Sequence, residues 1–296
     1  MTLDQIEWYL KELNTTHSSR LSVTSIGKSI EGRDIWLVHI RPRRCSVGGA
    51  VWIEAGIHAR EWISPAVVLQ MIPLFLEDCS RLETLDIFIV PMANPDGYLY
   101  SWTSNRLWRK NRRINSGGCD GVDLNRNWDF KFGLFSSDNP CSEDYRGSAG
   151  FSEPETQALK DAMLAVAGTS NLLMVIAFHS YGQYILYPWG WTTEEAPDTQ
   201  KMIGRGELWA TAAKKRYGTV YQVINAGGGL YLASGTTDDW AKGVLQVNYS
   251  YTVELRDEGA QGFVLSPDQI KPCSEEVWDG MKILLRAVGP GEHIFL

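Results

Sequence analysis

The segment AGIHAREWISPA, residues 55–66, places a histidine and a glutamate three positions apart, at His58 and Glu61. An imidazole nitrogen and a carboxylate oxygen both bind catalytic zinc, but two donors make a weak site. A third ligand would have to come from elsewhere in the fold. The alternative is a pair of unrelated polar residues where a strand meets a helix, and the spacing alone leaves both interpretations open.

A third donor is available at the end of a different apolar run. His179 lies at the end of LLMVIAFHS, while His58 and Glu61 follow AVWIEAGI. Ligand-binding crevices of α/β proteins form at the carboxyl ends of sheet strands, so these three side chains could meet there. Two imidazoles and one carboxylate, with a fourth position for water, form a common ligand set of catalytic zinc. The remaining histidines end no such run: His17, His39 and His293.

A zinc hydrolase also needs a base near the attacking water. Glu254 follows the apolar run VLQVNYSYTV. A carboxylate in a buried strand is costly unless it is paired or functional, which makes this residue a candidate base. An ion pair with the neighbouring Arg256 is the alternative interpretation.

Positive charge is needed where negative charge develops during hydrolysis. The run NRLWRKNRR supplies Arg109 and Arg112, although such runs are usually solvated surface. In GVDLNRNWD, the amide of Asn125 and the guanidinium of Arg126 could together hold a carboxylate. Each of these signals is weak when taken alone.

Strand and helix patterns alternate along the chain. AVWIEAGI and LDIFIVPM read as buried strands with the helix PAVVLQMIPLFLEDC between them, and LLMVIAFHS and VLQVNYSYTVEL read as further strands. LSVTSIGKSIEGRDIWLVHI reads as two strands joined by a turn. This alternation predicts an α/β fold with a largely buried sheet.

Helix starts are predicted at two capping boxes. Thr2 with Gln5 opens TLDQIEWYLKEL, and Ser152 with Glu155 opens SEPETQALKDAML. Two further helices are predicted, TQKMIGRGELWATAAKKRY and SPDQIKPCSEEVWDGMKILLRAV. The stretch from about 94 to 150 is rich in Gly, Asn, Asp and Arg, and we interpret it as an irregular functional loop.

Composition excludes several classes of protein. The 296 residues are 44% hydrophobic and 21% charged, which is enough to bury a large core. The net charge of -7 and the absence of a long basic tract argue against binding to nucleic acid. No run is apolar enough to span a bilayer, and the first residues lack the layout of a signal peptide. We therefore expect no membrane and no nucleic acid among the partners.

The cysteines and glycosylation triplets bear on the cellular compartment. Cys119 and Cys141 bracket a polar loop that a disulfide could close, but five reduced thiols in a cytosolic protein are equally compatible with composition. The triplet NTT at Asn14 fits a glycosylation acceptor at the end of a surface helix. The triplet at Asn248 is discounted because it falls in a predicted buried strand. Three cysteines stay unassigned: Cys45, Cys79 and Cys273.

Five dispersed motifs, in order, resemble the zinc metallocarboxypeptidases of the carboxypeptidase A and B family: AGIHAREWISPA, NRLWRKNRR, GVDLNRNWD, FHSYGQYILYPWG and YTVELRDEGAQGF. The match extends from about Thr2 to the C-terminal helix. The resemblance implies one catalytic domain over residues 1–296, an α/β fold with a central mixed, twisted sheet flanked by helices on both faces. It also implies one Zn²⁺ per chain and cleavage of the last peptide bond of peptides and proteins with a free C-terminus.

The resemblance assigns roles to individual residues. His58, Glu61 and His179 match the zinc ligands. Glu254 matches the general base that activates the attacking water and passes the proton to the leaving amine, and Arg112 matches the residue that stabilises the oxyanion. The terminal carboxylate of the substrate is held by residues that match Asn125, Arg126 and Tyr231. The residues of the outer subsites, where the rest of the peptide lies, are matched by Arg60, Arg109, Ser180, Tyr181 and Phe263.

The family also implies a compartment and partners. It pairs the cysteines that match Cys119 and Cys141, which favours a secreted, extracellular, digestive-type enzyme. The family is made as a zymogen, so a pro-segment or a protein inhibitor is a possible partner, and a monomer is expected. The chain itself is interpreted as a mature domain without a signal peptide or pro-domain.

Substrate specificity depends on Asp238, seven residues after Tyr231. This position is acidic in carboxypeptidase B-like members, which release C-terminal Lys or Arg, and apolar in A-like members, which prefer aromatic or aliphatic ends. The alternative is that Asp238 or Asp239 only caps a turn and the pocket is apolar; Thr236 and Thr237 replace the usual Gly-Ser of this loop. A remote alternative is an inactive zinc-binding scaffold, against which the complete set of catalytic residues argues.

Overall fold

The computed structural model describes residues 1–42, 48–78 and 84–286. Its strands are β1 (Leu21–Lys28), β2 (Asp34–Ile40), β3 (Gly49–Ala55), β4 (Leu85–Val90), β5 (Leu172–Ser180), β6 (Tyr184–Tyr187), β7 (Gln222–Asn225) and β8 (Tyr249–Leu255). Its helices are α1 (Leu3–Thr16), α2 (Ile63–Glu77), α3 (Pro95–Thr103), α4 (Pro154–Thr169), α5 (Thr199–Tyr217), α6 (Thr237–Trp240) and α7 (Ile270–Arg286).

The strands form one eight-stranded mixed sheet in the order β1-β2-β4-β3-β5-β8-β6-β7. Its centre is parallel, since β3 pairs with β4 and β5, and β5 pairs with β8. The carboxyl ends of β3, β5 and β8 therefore lie side by side. In the β5–β8 pair, His179 is directly opposite Glu254.

Helices cover both faces of the sheet. Along β3, Val51 and Ile53 pack into one core with residues of α1, α2, α5 and α7, while Trp52 packs into a second core with residues of α4 and α6. This alternation is the period of two expected of a strand buried on both sides. The predicted α/β fold with a mixed sheet between two helical layers is confirmed.

Local predictions fared unevenly. The Thr2 and Gln5 capping box is confirmed, since each side chain bonds to the other's backbone N–H. The prediction of a capping box at Ser152 and Glu155 is wrong. The helix begins at Pro154, and the Glu155 carboxylate accepts hydrogen bonds from Ile30 N and Asn111 Nδ2 instead. Helix α3 lies within the stretch predicted to be irregular. The last strand begins at Tyr249, five residues later than predicted. A helical turn at Ala241–Leu245 occupies the start of the predicted strand.

The cysteines that the structure describes fall into two groups. Cys119 and Cys141 form the expected disulfide, and Cys273 is a buried free thiol in α7. Cys45 and Cys79 lie outside the described residues, as does His293. Asn14 is exposed in the last turn of α1, and its Oδ1 accepts a hydrogen bond from Val23 N.

The surroundings of Asn248 and the lengths of the helices complete the description of the fold. Asn248 is exposed rather than buried, because it lies just before β8 begins. In the part of the chain that is described, no helix is both long and apolar enough to cross a bilayer.

Removing the disulfide is expected to destabilise the fold without touching the catalytic groups. The bond closes a loop with a sequence separation of 22. Loop-closure entropy in the unfolded chain predicts a loss of about 3 kcal/mol in the free energy of unfolding. Urea unfolding of the double variant Cys119→Ala/Cys141→Ala measures it. An unchanged free energy of unfolding would contradict the prediction, and Cys273→Ala serves as a cysteine control.

Candidate metal and catalytic site

The three predicted metal ligands lie together at the carboxyl edge of the sheet. His58 Nδ1 is 2.7 Å from Glu61 Oε1 and 3.1 Å from His179 Nδ1, and His179 Nδ1 is 3.1 Å from Glu61 Oε2. Two nitrogens bound to one tetrahedral zinc at about 2.0–2.1 Å are separated by about 3.3 Å, so these spacings fit a shared ion. All three residues are buried, and they form a group able to hold a metal.

Backbone geometry brings the first two ligands out of β3. Gly56 has φ +69°, and a Cβ there would lie 2.9 Å from Met92 Sδ, so both the turn and the close approach favour glycine. The Ser64 hydroxyl then joins the turn to α2, since it accepts from Gly56 N and donates to Glu61 O. His58 and Glu61 are thus held on one rigid turn.

Asp123 orients the first histidine. Its Oδ1 lies 3.1 Å from His58 Nε2. Burial raises the pKa of Asp123, but Arg109 and His58 outweigh burial and hold it well below its usual range. An ionised carboxylate can only accept, so Nε2 carries the hydrogen and Nδ1 presents its lone pair to a metal, the usual carboxylate–histidine arrangement of zinc sites. The donor set therefore suits zinc in chemistry as well as spacing.

The electrostatics of the other two ligands depend on each other. Burial raises the pKa of Glu61, but the two imidazoles lower it further, so that the carboxylate is ionised. Burial lowers the pKa of His179, while Glu61 raises it to about 9 in the absence of a metal. His179 Nε2 is buried and makes no hydrogen bond within the described residues.

The two arginines of NRLWRKNRR occupy different places relative to the predicted metal ligands. Arg109 is partly buried, with Nε 3.0 Å from Asp123 Oδ2 and one terminal nitrogen 3.3 Å from His58 Nδ1. Arg112 lies away from the ligands: its guanidinium stacks on Tyr100, 3.7 Å from the ring centre, and pairs with Asp120 at 3.5 Å. The charge beside the metal ligands belongs to Arg109 and not to Arg112.

Glu254 faces the same space from β8. It makes no hydrogen bond or ion pair among the described residues, and Arg256 pairs with Glu276 instead. This removes the alternative interpretation of Glu254 as an ion-pair partner. Burial raises the pKa of Glu254 to about 7, with His179 acting in the opposite direction. A partly desolvated carboxyl with no partner is suited to accept a proton.

The residues expected to hold a terminal carboxylate come from two loops. Asn125 and Arg126 lie on a short turn after Asp123, whose Oδ1 accepts from Asn125 N at 2.9 Å. Tyr231 follows the helical turn Ala226–Leu230 and is 56% exposed. Asn125 and Arg126 are almost fully buried, with small exposed fractions of 7% and 6%.

The expected outer-subsite residues form a contiguous surface. The Arg60 guanidinium lies 4.3 Å from the Phe263 ring centre, and the Tyr181 ring packs edge-on against Phe263 at 4.8 Å. Ser180 N donates to Glu61 Oε2 at 3.2 Å, which ties this surface to the metal ligands. Arg109, the other residue expected in the outer subsites, lies beside Asp123 and His58.

The two aspartates of the specificity loop have different surroundings. Asp239 accepts hydrogen bonds from Gly190 N and Trp191 N, so it organises the loop. Asp238 is 4% exposed, and its carboxylate makes no hydrogen bond or ion pair with any described residue. Burial and the charge of Asp238 both raise the pKa of Asp239 well above its usual value. Asp239 thus binds the backbone of a distant segment, whereas the Asp238 carboxylate has no such partner among the described residues.

Sequence reasoning missed three residues of the site. Asp123 lies inside the quoted motif GVDLNRNWD, two positions before Asn125, and its acidic type was a signal that went unused. Arg106 donates to Arg60 O and to Phe263 O, so it supports the outer surface. Thr237 N donates to Asn125 Oδ1 at 3.0 Å, a contact across 112 positions that no local pattern reveals.

Comparison with known proteins gives consistent matches over nearly the whole chain. The family profile described as zinc carboxypeptidase matches residues 6–280. Carboxypeptidase B of Astacus astacus is 38% identical, and the match covers 96% of this chain and 95% of that protein. Carboxypeptidase A1 of Mus musculus is 39% identical, and the match covers 94% of this chain and 67% of that protein. The structure of bovine thrombin-activatable fibrinolysis inhibitor in complex with tick carboxypeptidase inhibitor superimposes with a TM-score of 0.90, at 31% identity and 97% coverage of both chains.

Proposed function

Because this chain belongs to the zinc carboxypeptidase family, we propose that it removes C-terminal Lys or Arg from peptides and proteins. The chain is a metallocarboxypeptidase, a hydrolase whose cofactor is one Zn²⁺. We propose which C-terminal residue the enzyme releases and which of its side chains take part in the reaction. The observation that carries it is the buried carboxylate of Asp238, which has no partner among the described residues and directly follows Thr237, a residue bonded to Asn125.

His58, Glu61 and His179 are the residues that would hold the zinc. When bound, zinc acts as a Lewis acid on the scissile carbonyl and makes water a better nucleophile at neutral pH. Asp123 fixes the orientation of His58, and the strand pairing fixes His179 next to Glu254. These residues have to hold their positions while the substrate enters and leaves.

The chain's own side chains account for the rest of the reaction. Asn125 and Arg126 bind the terminal carboxylate by charge-assisted hydrogen bonds, and Tyr231 closes over it. The last peptide bond is then at a fixed distance from the metal ligands, so only that bond is cleaved. Glu254 accepts the proton of the attacking water and delivers it to the leaving amine, while Arg109 stabilises the negative charge on the carbonyl oxygen.

Basic specificity follows from what a buried carboxylate requires. An unpaired buried charge is costly, and a guanidinium or ammonium group would pair with Asp238 as the substrate binds. Thr237, the residue before Asp238, donates its backbone N–H to Asn125 Oδ1, which supports a position for Asp238 close to the proposed carboxylate clamp. An aromatic or aliphatic side chain would leave the carboxylate buried and unpaired.

The preference for basic residues can be measured with paired peptides that differ only in a C-terminal Arg or Phe. We expect kcat/KM to be at least about a hundredfold higher for Arg, because an unpaired buried charge costs several kcal/mol. Asp238→Asn removes the charge with little change in volume, so the Arg-to-Phe ratio should fall steeply. Asp239→Asn is a neighbouring comparison. A faster rate on Phe with the unaltered enzyme would refute the basic preference.

A-like specificity for aromatic or aliphatic ends is the second candidate. Carboxypeptidase A1 of Mus musculus and carboxypeptidase B of Astacus astacus match this chain at 39% and 38% identity, so overall similarity favours neither specificity. The paired-peptide measurement decides between them.

We further propose that the enzyme acts outside the cell as a monomer made from a larger precursor. The disulfide between Cys119 and Cys141 supports an oxidising compartment. The bovine relative was solved in complex with a protein inhibitor, which supports the same kind of partner here. Chromatography of secreted material with and without reductant would test both the compartment and the oligomeric state.

A further inference from the structure

Asn111 is a fully buried side chain that the proposed reaction does not use. Its amide can accept two hydrogen bonds and donate two, and all four are made. Oδ1 accepts from the backbone N–H groups of Val122, at 2.8 Å, and of Arg113, at 3.3 Å. Nδ2 donates to carboxylate oxygens of Glu153, at 2.8 Å, and of Glu155, at 3.1 Å. The orientation of the amide is therefore fixed, because a rotated amide would set its oxygen against two carboxylates.

Asn111 joins the two segments that carry Arg109 and Asp123. Its backbone N–H donates to Val122 O at 3.0 Å, and Val122 N donates in return to the Asn111 side chain. Val122 directly precedes Asp123, and Arg109 lies two residues before Asn111. These two bonds therefore lie next to the contact between the side chains of Arg109 and Asp123. A shift of one segment relative to the other would change that contact.

The two carboxylates that bind Asn111 belong to a different element, the start of α4. Glu153 is the residue before this helix and Glu155 lies in its first turn, and both are fully buried. Glu153 also pairs with Arg113 at 2.6 Å, and Glu155 accepts from Ile30 N at 2.9 Å. The amide thus attaches the two segments to a helix that packs against the sheet.

The segment of Arg109 has further attachments on its other side. Ala59 N donates to Arg109 O at 3.0 Å, and Asn94 Nδ2 donates to Lys110 O at 3.1 Å. Ala59 lies on the turn of the predicted metal ligands, so these bonds hold the segment toward that turn. Asn111 supplies the attachment on the opposite side, and the guanidinium is carried by the backbone between them.

We propose that Asn111 is a positioning residue for Arg109, holding the segment of Arg109 in place beside the segment of Asp123. This role rests on the proposed function, in which Arg109 stabilises negative charge on the carbonyl oxygen. That charge develops in the transition state, so a displaced guanidinium lowers kcat and leaves KM nearly unchanged.

Kinetics of single and double variants on one peptide test the role. In Asn111→Ala, we expect kcat to fall about tenfold to a hundredfold, since a displacement of about 1 Å can cost about a hundredfold. KM should stay within about twofold, as for an interaction made only in the transition state. In an Arg109→Ala background, the same substitution should lower kcat by less than about twofold more, because the side chain that it positions is absent.

Asn115→Ala is the matched control on the same loop. The Asn115 amide also bonds to backbone, with Nδ2 3.0 Å from both Cys119 O and Gly121 O. It makes no hydrogen bond with the carboxylates of Glu153 and Glu155 among the described residues. Its loss should leave kcat close to that of the unaltered enzyme.

Zinc affinity, measured by competition with a chelator, separates Arg109 from the metal ligands as the target. Asp123 N donates to Tyr145 O at 2.8 Å, so Asp123 has an attachment that does not depend on Asn111. We therefore expect unchanged zinc affinity in Asn111→Ala. A loss of zinc affinity in step with kcat would mean that Asn111 acts through Asp123 and His58, which would refute the proposed role.

A second substitution keeps the test decisive if Asn111→Ala does not fold. Asn111→Ser retains a hydroxyl that can accept from Val122 N but is too short to reach the two carboxylates as well. Its kcat should fall in the same direction by a smaller factor. If neither variant folds, Asn111 maintains the fold as a whole, and a specific role in positioning Arg109 is refuted.

The Arg109→Ala variant distinguishes failure of this inference from failure of the proposed function. A nearly normal kcat in Arg109→Ala would refute the role of Arg109, and that of Asn111 with it. A large loss in Arg109→Ala with normal kcat in Asn111→Ala would refute the role of Asn111 alone. Lowering of kcat by the same factor in both backgrounds would do so too, because it would indicate a general structural effect.

Discussion

Replacing Glu254 with glutamine is expected to lower kcat by about a thousandfold or more, because the variant loses the group that we propose accepts the proton of the attacking water. The two side chains have nearly the same shape, so substrate binding should persist with a similar KM. Glu254 makes no hydrogen bond among the described residues, so the substitution breaks no contact within the protein. Steady-state kinetics on a single peptide substrate measures the loss.

Metal content separates the loss of a base from the loss of zinc. Glu254 is not among the three residues that converge on the metal position, so Glu254→Gln should bind zinc in the same amount as the unaltered protein. His179→Ala is the matched comparison on the neighbouring strand and should lose both zinc and activity. Activity close to normal in Glu254→Gln would mean that another residue is the base.

Substituting the two arginines separately gives the second large effect. Arg109→Ala is expected to reduce kcat by about a hundredfold to a thousandfold, since it removes the charge that we propose stabilises the developing oxyanion. Arg112→Ala should leave kcat within about threefold, because its guanidinium stacks on Tyr100 and pairs with Asp120. The kinetic comparison is made on the same peptide.

Arg109 also contacts Asp123, so its loss could act through the metal ligands. Zinc affinity measured by competition with a chelator distinguishes the two effects, and Arg109→Lys keeps a charge near the same place. A large loss in Arg112→Ala with little effect of Arg109→Ala would restore the assignment made from sequence. The reverse result supports the placement of the side chains described here.

The arginines show where sequence reasoning reached its limit. Apolar runs ending in His58 and His179 predicted that these side chains would meet, because parallel strands bring their carboxyl ends to one edge of a sheet. Arg109 and Arg112 lie on an irregular segment, where no regular pattern of apolar residues indicates which way a side chain points. Which guanidinium enters the cleft depends on the long-range contacts of Arg109 with Asp123 and of Arg112 with Tyr100, and spacing does not encode them.

The same distinction explains the helix boundaries. Thr2 and Gln5 form a capping box within one turn, so local sequence sufficed. Glu155 fits the same pattern but binds Ile30 and Asn111, partners supplied only by the folded chain. The Thr237–Asn125 bond was beyond prediction for the same reason. Patterns that repeat along one element were informative, and contacts between distant segments were not.

The proposed metal ligands come from two distant segments of the chain, and this has a consequence for folding. Glu61 and His179 are 118 positions apart and meet only when β3 pairs with β5. The unfolded chain therefore has no preformed site, so free energy released on zinc binding is coupled to assembly of the central sheet. The ion that serves catalysis also acts as a thermodynamic cross-link between strands that local interactions alone would not bring together.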